Sequence, residues 1–294
     1  MATKNTPNVL GTATEYGESL LNAVTHFKKL FAALVAAFGA ALVILPLWVI
    51  GTASLKEDPE YFDSALAAPN EFRLENFIEA WTTGGFSTYV VNSLIVVTVG
   101  LTILIAVCAL AAYALVQFDI PKKRLILVGI IAGFMIPPEV LVVPLYTFMD
   151  ALGWLNQLRS VIVVYIAISI PFSVFFLRQF FVGIPSSLAE AARMDGCTEF
   201  QVFTRIYLPL SIPAITVVFV FNFVLFWNEF LYAIIFLTSD AVRTAPAGLL
   251  AFQGQFDQSY VLQASGVIVA ALPTIVVFLI FRNYFIKGFT MGRV

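Results

Sequence analysis

The chain has 294 residues, of which 60% are hydrophobic and 12% are charged, with a mean hydropathy of +0.93 and a formal net charge of −2. A soluble globular chain is about half apolar and about a quarter charged, so this composition excludes an ordinary soluble domain. The slightly negative charge also argues against a nucleic-acid partner. Apolar runs of about 20 residues suit helices that satisfy their own backbone inside lipid, so the sequence predicts an all-α integral membrane protein.

Six apolar runs predict six transmembrane helices after a cytoplasmic N-terminal segment, residues 1–30. The predicted spans are residues 31–53, 90–116, 125–148, 160–177, 212–238 and 261–281, in one membrane domain that covers residues 31–294. The first run is too long for the core of a signal peptide, so we expect it to remain as an anchor.

The distribution of basic residues predicts the orientation. Lysine and arginine near helix ends are retained on the cytoplasmic side. With the N-terminus inside, twelve of the sixteen Lys and Arg residues fall in cytoplasmic segments, while the first outer loop, between residues 54 and 89, is acidic. Both termini are therefore predicted to be cytoplasmic.

Two carboxylates interrupt the apolar spans. A charged side chain at the bilayer centre costs about 2.5–3.5 kcal/mol on insertion scales, so it normally faces a cavity or a partner. We expect Glu229 in the fifth span to face the bundle interior and, with Asn222, Trp227 and Asn228, to suit a polyhydroxylated ligand. The alternative is that Glu229 lies near the outer headgroups or pairs with another subunit. Glu139, in the third span, follows two prolines that break the helix, and is expected to face outward beyond the kink.

The cytoplasmic loop of residues 182–211, between the fourth and fifth spans, is called the coupling loop here. Ser187 and Glu190 form a capping-box pattern that predicts a helix start, and Gly196 predicts its end. Thr198 and Gln201 repeat the box and predict a second helix. That helix has an apolar stripe, with these members: Phe200, Phe203, Ile206, Tyr207 and Leu210.

The coupling loop matches the signature E-A-A-x3-G-x9-I-x-L-P of ABC importer permeases at every defined position. The matching residues are Glu190, Ala191, Ala192, Gly196, Ile206, Leu208 and Pro209. The resemblance implies that these residues and Asp195 couple the chain to a separate ATPase. The alternative is an amphipathic connector that lies on the bilayer.

Resemblance to one branch of that family extends over nearly the whole chain. Stretches such as Asn92–Leu94, Ile136–Val140, Leu177–Phe181, Trp227–Phe230 and Lys287–Gly292 look like the second permease of maltose-type carbohydrate importers. This similarity implies a type I importer fold in the cytoplasmic (inner) membrane of a prokaryote. It also implies a second homologous permease, two ATP-binding subunits and an extracytoplasmic sugar-binding protein as partners.

In the similar maltose-type permease, the outer loop that corresponds to residues 239–260 reaches into the binding protein. The resemblance therefore implies binding-protein contacts for Gln253, Gly254, Gln255 and Asp257. An ordinary connecting loop is the alternative.

No ATP site is expected on this chain, because none of its seven lysines is followed by Ser or Thr, as a phosphate-binding loop requires. The single histidine, His26, and two cysteines, Cys108 and Cys197, offer no metal-ligand spacing and no expected disulfide. We therefore predict a permease rather than an enzyme, without a cofactor of its own, and with ATP and Mg²⁺ on the partner ATPase. The expected cargo is a di- or oligosaccharide, and the alternative is a polyol or glycerol-3-phosphate. An ion-coupled transporter is disfavoured by the scarcity of buried ionisable residues.

Overall fold

A computed structural model describes the backbone of residues 9–252 and 259–290 and the side chains of residues 26–252 and 259–282. Within these ranges the protein is helical and contains no strand. The helices are α1 (Val9–Ala53), α2 (Asp58–Asp63), α3 (Glu75–Thr82), α4 (Phe86–Gln117), α5 (Lys123–Phe134), α6 (Val142–Ala151), α7 (Leu158–Val182), α8 (Ser186–Met194), α9 (Glu199–Val202), α10 (Leu208–Leu210), α11 (Ile212–Asn228), α12 (Leu231–Phe236), α13 (Ala245–Gly248) and α14 (Tyr260–Thr290).

Four helices are long and apolar enough to cross a membrane, namely α1, α4, α7 and α14. Two bent helix pairs are also apolar enough by composition: α5 meets the Pro138–Ala151 segment at 92°, and the Glu199–Leu210 segment of the coupling loop meets α11 at 74°. The described residues therefore hold four spans, or six if each bent pair counts as one.

The core is built around α4 and α7, which form the most extensive helix pair, with α11 packed against both. Fully buried side chains such as Leu104 and Cys108 of α4 and Leu177 of α7 fill the space between them. Cys108 and the half-buried Cys197 are free thiols. Helix α1 packs mainly on α14, and its residues from His26 to Trp48 are exposed.

Neither the third nor the fifth predicted span is one continuous helix. In the third, α5 ends at Phe134, and a 3-10 turn over Pro138–Leu141 precedes α6, as the proline pair in that run predicted. In the fifth, α11 ends at Asn228, Glu229 is extended, and α12 follows. Hydropathy could not reveal this second break because the residues on both sides of it are apolar.

The coupling loop folds as two short helices joined at Gly196. The predicted Ser187–Glu190 capping box is wrong: Pro185 occupies the N-cap position, so Ser187 already lies inside the first turn, where it cannot cap the helix. The Thr198–Gln201 box is confirmed, with hydrogen bonds of 2.8 and 3.4 Å in the two directions.

The second helix of the coupling loop contains a π-helical segment, Phe203–Tyr207, between α9 and α10. Its two end residues, Phe203 and Tyr207, are buried as the predicted stripe requires. The first and last members of the stripe, Phe200 and Leu210, are exposed. A helical period predicts which residues share a face, but it does not predict how far the neighbouring helices extend over that face.

Candidate functional site

The bend between α8 and α9 is a Schellman motif centred on Gly196. The Gly196 N–H donates to the Arg193 carbonyl and the Cys197 N–H donates to the Ala192 carbonyl, both at 3.0 Å. Gly196 has φ = +84°, a conformation that costs a residue with a Cβ but suits glycine. The glycine therefore fixes the direction in which the chain leaves α8.

The signature positions of the coupling loop divide into two groups. Glu190, Ala191, Asp195, Gly196 and Pro209 are exposed, and Ala192 is half-buried. Ile206 and Leu208 are half-buried and pack against the core of the bundle. The first part of the signature therefore forms a surface around the bend, while the two apolar residues of the second part attach the loop to the membrane helices.

An apolar patch surrounds the exposed part of the signature. It consists of Leu188, Met194 and Phe200, whose exposed fractions are 44%, 88% and 68%. Beneath it, Ala189 is fully buried against the bundle. A contiguous exposed apolar surface outside the spans is typical of a contact with another protein.

A polar network, called the Arg193 network here, joins the coupling loop to the end of α4. Its members are Tyr113 and Gln117 of α4, Arg193 of α8, Glu199 of α9, and Tyr207. Arg193 donates through Nε to Glu199 Oε1 at 2.6 Å and through Nη2 to Glu199 Oε2 at 3.1 Å and to Gln117 Oε1 at 2.9 Å. The Tyr113 hydroxyl donates to Glu199 Oε2 at 2.7 Å, and Gln117 Nε2 donates to the Tyr207 hydroxyl.

The charges of this network are mutually stabilised. Hydrogen bonds from Arg193 and then from Tyr113 hold the pKa of Glu199 below its usual range. The hydrogen bond to Glu199 raises the pKa of Arg193 above its usual range. The pair is therefore ionised at neutral pH.

Sequence reasoning missed this network. The opposite charges of Arg193 and Glu199 on the two sides of Gly196 were the signal that could have suggested an ion pair across the bend. Tyr113 and Gln117 are distant in sequence and gave no such signal.

A cavity of about 600 Å³ lies beside the network, between the ends of α4 and α7 and the start of α8. Its lining includes Lys123, Arg178 and Glu190 together with Gln117, Arg193 and Tyr207 of the network. Arg178 Nε is buried there without a hydrogen-bond partner among the described residues. Helix α8 is therefore not packed against the bundle along its whole length.

Within the membrane region, Glu229 caps α12 from the break that follows α11. Its carboxylate accepts hydrogen bonds from the Tyr232 N–H at 2.9 Å and the Ala233 N–H at 3.2 Å, and from the Tyr165 hydroxyl. These are the donors that a helix start leaves unsatisfied. The break in the fifth span is therefore stabilised by the one carboxylate in that span.

Glu229 also lines a cavity of about 250 Å³, together with Glu139, Tyr165, Ser169 and Tyr232. A second cavity, of about 500 Å³, shares four lining residues with the first, and Asn222 contributes to its wall. Carboxylate, hydroxyl and amide groups thus line two adjoining cavities that are otherwise mostly apolar. A position inside the bundle and a contact with another subunit both stay predictions for Glu229.

The other three residues predicted to accompany Glu229 differ in their positions. Trp227 is buried and donates through Nε1 to the Ala270 carbonyl of α14 at 2.8 Å. Asn228 is exposed and donates to the Val224 carbonyl of its own helix at 2.8 Å. Asn222 is fully buried and donates to Ser173 and Val218, and its Oδ1 has no partner among the described residues. Of the four residues predicted for the substrate pathway, Glu229 and Asn222 line these two cavities, and the pathway itself stays a prediction.

The binding-protein loop predicted at Gln253, Gly254, Gln255 and Asp257 lies outside the described residues. In the described part of the chain, no group of three or more His, Cys, Asp or Glu residues could hold a metal ion.

The likeness to a solved structure supports the fold. The chain superimposes on a bacterial ABC transporter involved in the import of the acidic polysaccharide alginate, with a TM-score of 0.70 over 97% of this chain and 100% of that chain. The two sequences are 19% identical, so this likeness concerns the fold alone.

Sequence comparison identifies the family. Residues 108–287 match the family described as binding-protein-dependent transport system inner membrane component. A probable ABC transporter permease protein, YurM of Bacillus subtilis, is 37% identical over 84% of this chain and 82% of its own length. The diacetylchitobiose uptake permease NgcG of Streptomyces coelicolor is 31% identical over 86% of this chain and 84% of its own. The trehalose/maltose permease MalG of Thermococcus litoralis is 31% identical over 90% of this chain and 96% of its own.

These relatives are transport subunits rather than enzymes, as the sequence predicted. The chain therefore belongs to the binding-protein-dependent transport system inner membrane components, the permease subunits of ABC importers.

Proposed function

We propose that this permease forms half of the translocation pathway for a di- or oligosaccharide that an extracytoplasmic binding protein delivers. A second homologous permease supplies the other half, and two ATP-binding subunits, which carry the ATP and Mg²⁺, provide the energy. Both termini face the cytoplasm in this proposal, and the complex lies in the cytoplasmic membrane of a prokaryote. The outer loop with Gln253, Gly254, Gln255 and Asp257 is proposed to contact the binding protein.

The observation that carries the proposal is the exposed apolar patch on the coupling loop. Leu188, Met194 and Phe200 are too exposed to serve this chain's own core. The signature residues Glu190 and Ala191, together with Asp195, are exposed in the same part of the loop. An apolar centre bordered by polar groups has the composition of a protein interface. We infer that the ATP-binding subunit covers this surface.

The substrate class follows from the membrane cavities and from the relatives. NgcG and MalG are named for disaccharide transport. The two adjoining cavities offer the carboxylates Glu139 and Glu229, the Tyr165 hydroxyl and the Asn222 amide, but their linings include no Lys or Arg. Neutral hydroxyl groups can donate to and accept from such side chains, whereas a phosphate ester calls for a cationic partner. A neutral saccharide is therefore favoured over glycerol-3-phosphate, and a neutral polyol is the remaining alternative.

Replacing Met194 with glutamate tests the ATPase contact. A charge buried at the centre of an interface has no partner, and even simple truncation of an interface anchor costs about 2 kcal/mol or more. We expect the Met194→Glu variant to lose co-purifying ATP-binding subunit and ATP-dependent sugar uptake. The matched control is Gln179→Glu, which adds the same charge at an exposed position at the end of α7.

Both variants are purified from the host membrane, and the ratio of ATP-binding subunit to permease is measured together with uptake into vesicles loaded with ATP. Equal ATPase recovery for Met194→Glu and Gln179→Glu would contradict the proposed contact. Uptake that persists without ATP and stops when the ion gradient is collapsed would overturn the importer function itself.

A further inference from the structure

We propose that the Arg193 network is a latch that holds α8 to the end of α4, so that movement of the ATPase-facing surface is passed to the membrane helices. This inference rests on the proposed function, because it assumes that α8 contacts the ATP-binding subunit. It assigns Tyr113, Gln117, Arg193, Glu199 and Tyr207 as positioning residues for coupling.

The first step is that α8 has few other attachments. The 600 Å³ cavity separates its start from the ends of α4 and α7. Ala189 is the one fully buried side chain of α8, and its methyl group buries little apolar surface against the bundle. Without the network, a force on Met194 or Glu190 would tilt α8 over the cavity instead of moving the bundle.

The second step is the geometry of Arg193. Its guanidinium binds both oxygens of Glu199 and, through Nη2, also reaches Gln117 Oε1. One side chain thereby connects three helices, α8, α9 and α4. A lysine offers a single ammonium group and cannot reproduce this planar, bidentate arrangement.

The third step is the path from the latch into the membrane. Tyr113 and Gln117 lie in the last turns of α4, the helix that packs most extensively on α7. Further along α4, a Cβ added at Gly100 would lie 2.9 Å from the ring of Phe226. Phe226 lines the 250 Å³ cavity and also packs against Tyr165, the hydroxyl donor to Glu229. A rigid α4 therefore connects the latch with the wall of the proposed substrate space.

The test compares Arg193→Met and Glu199→Gln with wild type in the complete transporter, purified from its host and reconstituted in vesicles. We measure the ATP-binding subunit that co-purifies, ATP hydrolysis stimulated by the loaded binding protein, and sugar uptake. Hydrogen bonds between charged groups change equilibria by about tenfold or more. We expect normal ATPase attachment, and about tenfold more ATP hydrolysed per sugar transported in each variant.

The ratio of ATP to sugar separates coupling from stability, because a variant that is merely less stable lowers both rates in proportion. Arg205→Met is the matched control, since Arg205 is an exposed arginine of the same loop that lies outside the network. It should keep the wild-type ratio. The exchanged pair, Arg193→Glu with Glu199→Arg, should recover part of the coupling because it restores opposite charges across the bend.

An unchanged ratio in Arg193→Met would overturn the latch, and so would an exchanged pair that is no better than the single variants. Loss of the ATP-binding subunit from both single variants would make these residues part of the docking contact, which also overturns the latch but leaves the permease function intact. Failure of the wild-type complex to couple ATP to sugar uptake would instead refute the proposed function on which the latch rests.

Discussion

Glu229 is expected to have a mainly structural role, because its carboxylate stabilises the break between α11 and α12. Replacing it with alanine leaves the N–H groups of Tyr232 and Ala233 and the hydroxyl of Tyr165 without their acceptor. Loss of a helix cap costs about 0.5–2 kcal/mol, and each buried donor left unsatisfied costs about 1–3 kcal/mol. Because Glu229 borders a cavity that can admit water, we expect a total of about 2–4 kcal/mol rather than the full sum.

Glutamine in place of Glu229 should be milder. Its carbonyl oxygen can still accept one backbone N–H, while its amide can donate to the Tyr165 oxygen, since a phenol is both donor and acceptor. We expect the free energy of unfolding to fall by about 1 kcal/mol, because one charge-assisted hydrogen bond is replaced by a neutral one.

Thermal unfolding of the purified complex in detergent measures the order of stability, which should be wild type, then Glu229→Gln, then Glu229→Ala. Asn228→Ala is the adjacent control, because that exposed amide bonds only to the Val224 carbonyl of its own helix and should change stability by about 0.5 kcal/mol or less. Sugar uptake is measured in parallel. A Glu229→Ala complex that is as stable as wild type but does not transport would refute the capping role and make the carboxylate a ligand of the sugar.

Two glycines provide further predictions. Gly196→Val should lower the free energy of unfolding by about 1–2 kcal/mol, because residue 196 has a left-handed backbone conformation that valine disfavours. A clash is not the cause, since a Cβ at this position meets no neighbour within 4 Å. ATP hydrolysis stimulated by the loaded binding protein should fall in Gly196→Val. It should persist in Gly196→Asn, because asparagine tolerates the left-handed conformation. An equal loss of stimulated hydrolysis in both variants would mean that the backbone angle φ is not the cause. Gly248→Ala should destabilise the complex by about 1–3 kcal/mol in thermal unfolding, because its Cβ would overlap the ring of Tyr89. Gly39→Ala, with open space around it, is the neutral control, and a Gly248→Ala complex that unfolds at the same temperature would contradict the close packing.

Local chemistry carried the correct parts of the sequence prediction. The Thr198–Gln201 box and the Gly196 bend involve residues within a few positions of one another, so their hydrogen bonds could be anticipated from spacing alone. The break at Pro137 and Pro138 was likewise predictable, because proline lacks the N–H that a helix needs.

Long-range contacts account for what sequence reasoning missed. Tyr113 meets Glu199 across 86 positions, and Trp227 meets the Ala270 carbonyl across 43, so neither partner could be read from spacing. Glu229 was expected among polar groups of its own span. Its main partners are instead the backbone of α12 and the distant Tyr165, and the apolar run through residues 212–238 concealed the break that makes those backbone groups available.

The π-helical segment Phe203–Tyr207 gives the fixed spacing of the signature a geometric meaning. In this segment the Leu208 N–H bonds to the Phe203 carbonyl, five residues back rather than four, so the turn holds one residue more than an α-helix would. Each residue of an α-helix turns the chain by about 100°. Because the π-turn holds its extra residue locally, it offsets the rotation of about that angle that one added residue would otherwise impose between the surface around Gly196 and α11. In the proposed function, this turn thus helps to set the direction in which the surface around Gly196 faces the ATP-binding subunit.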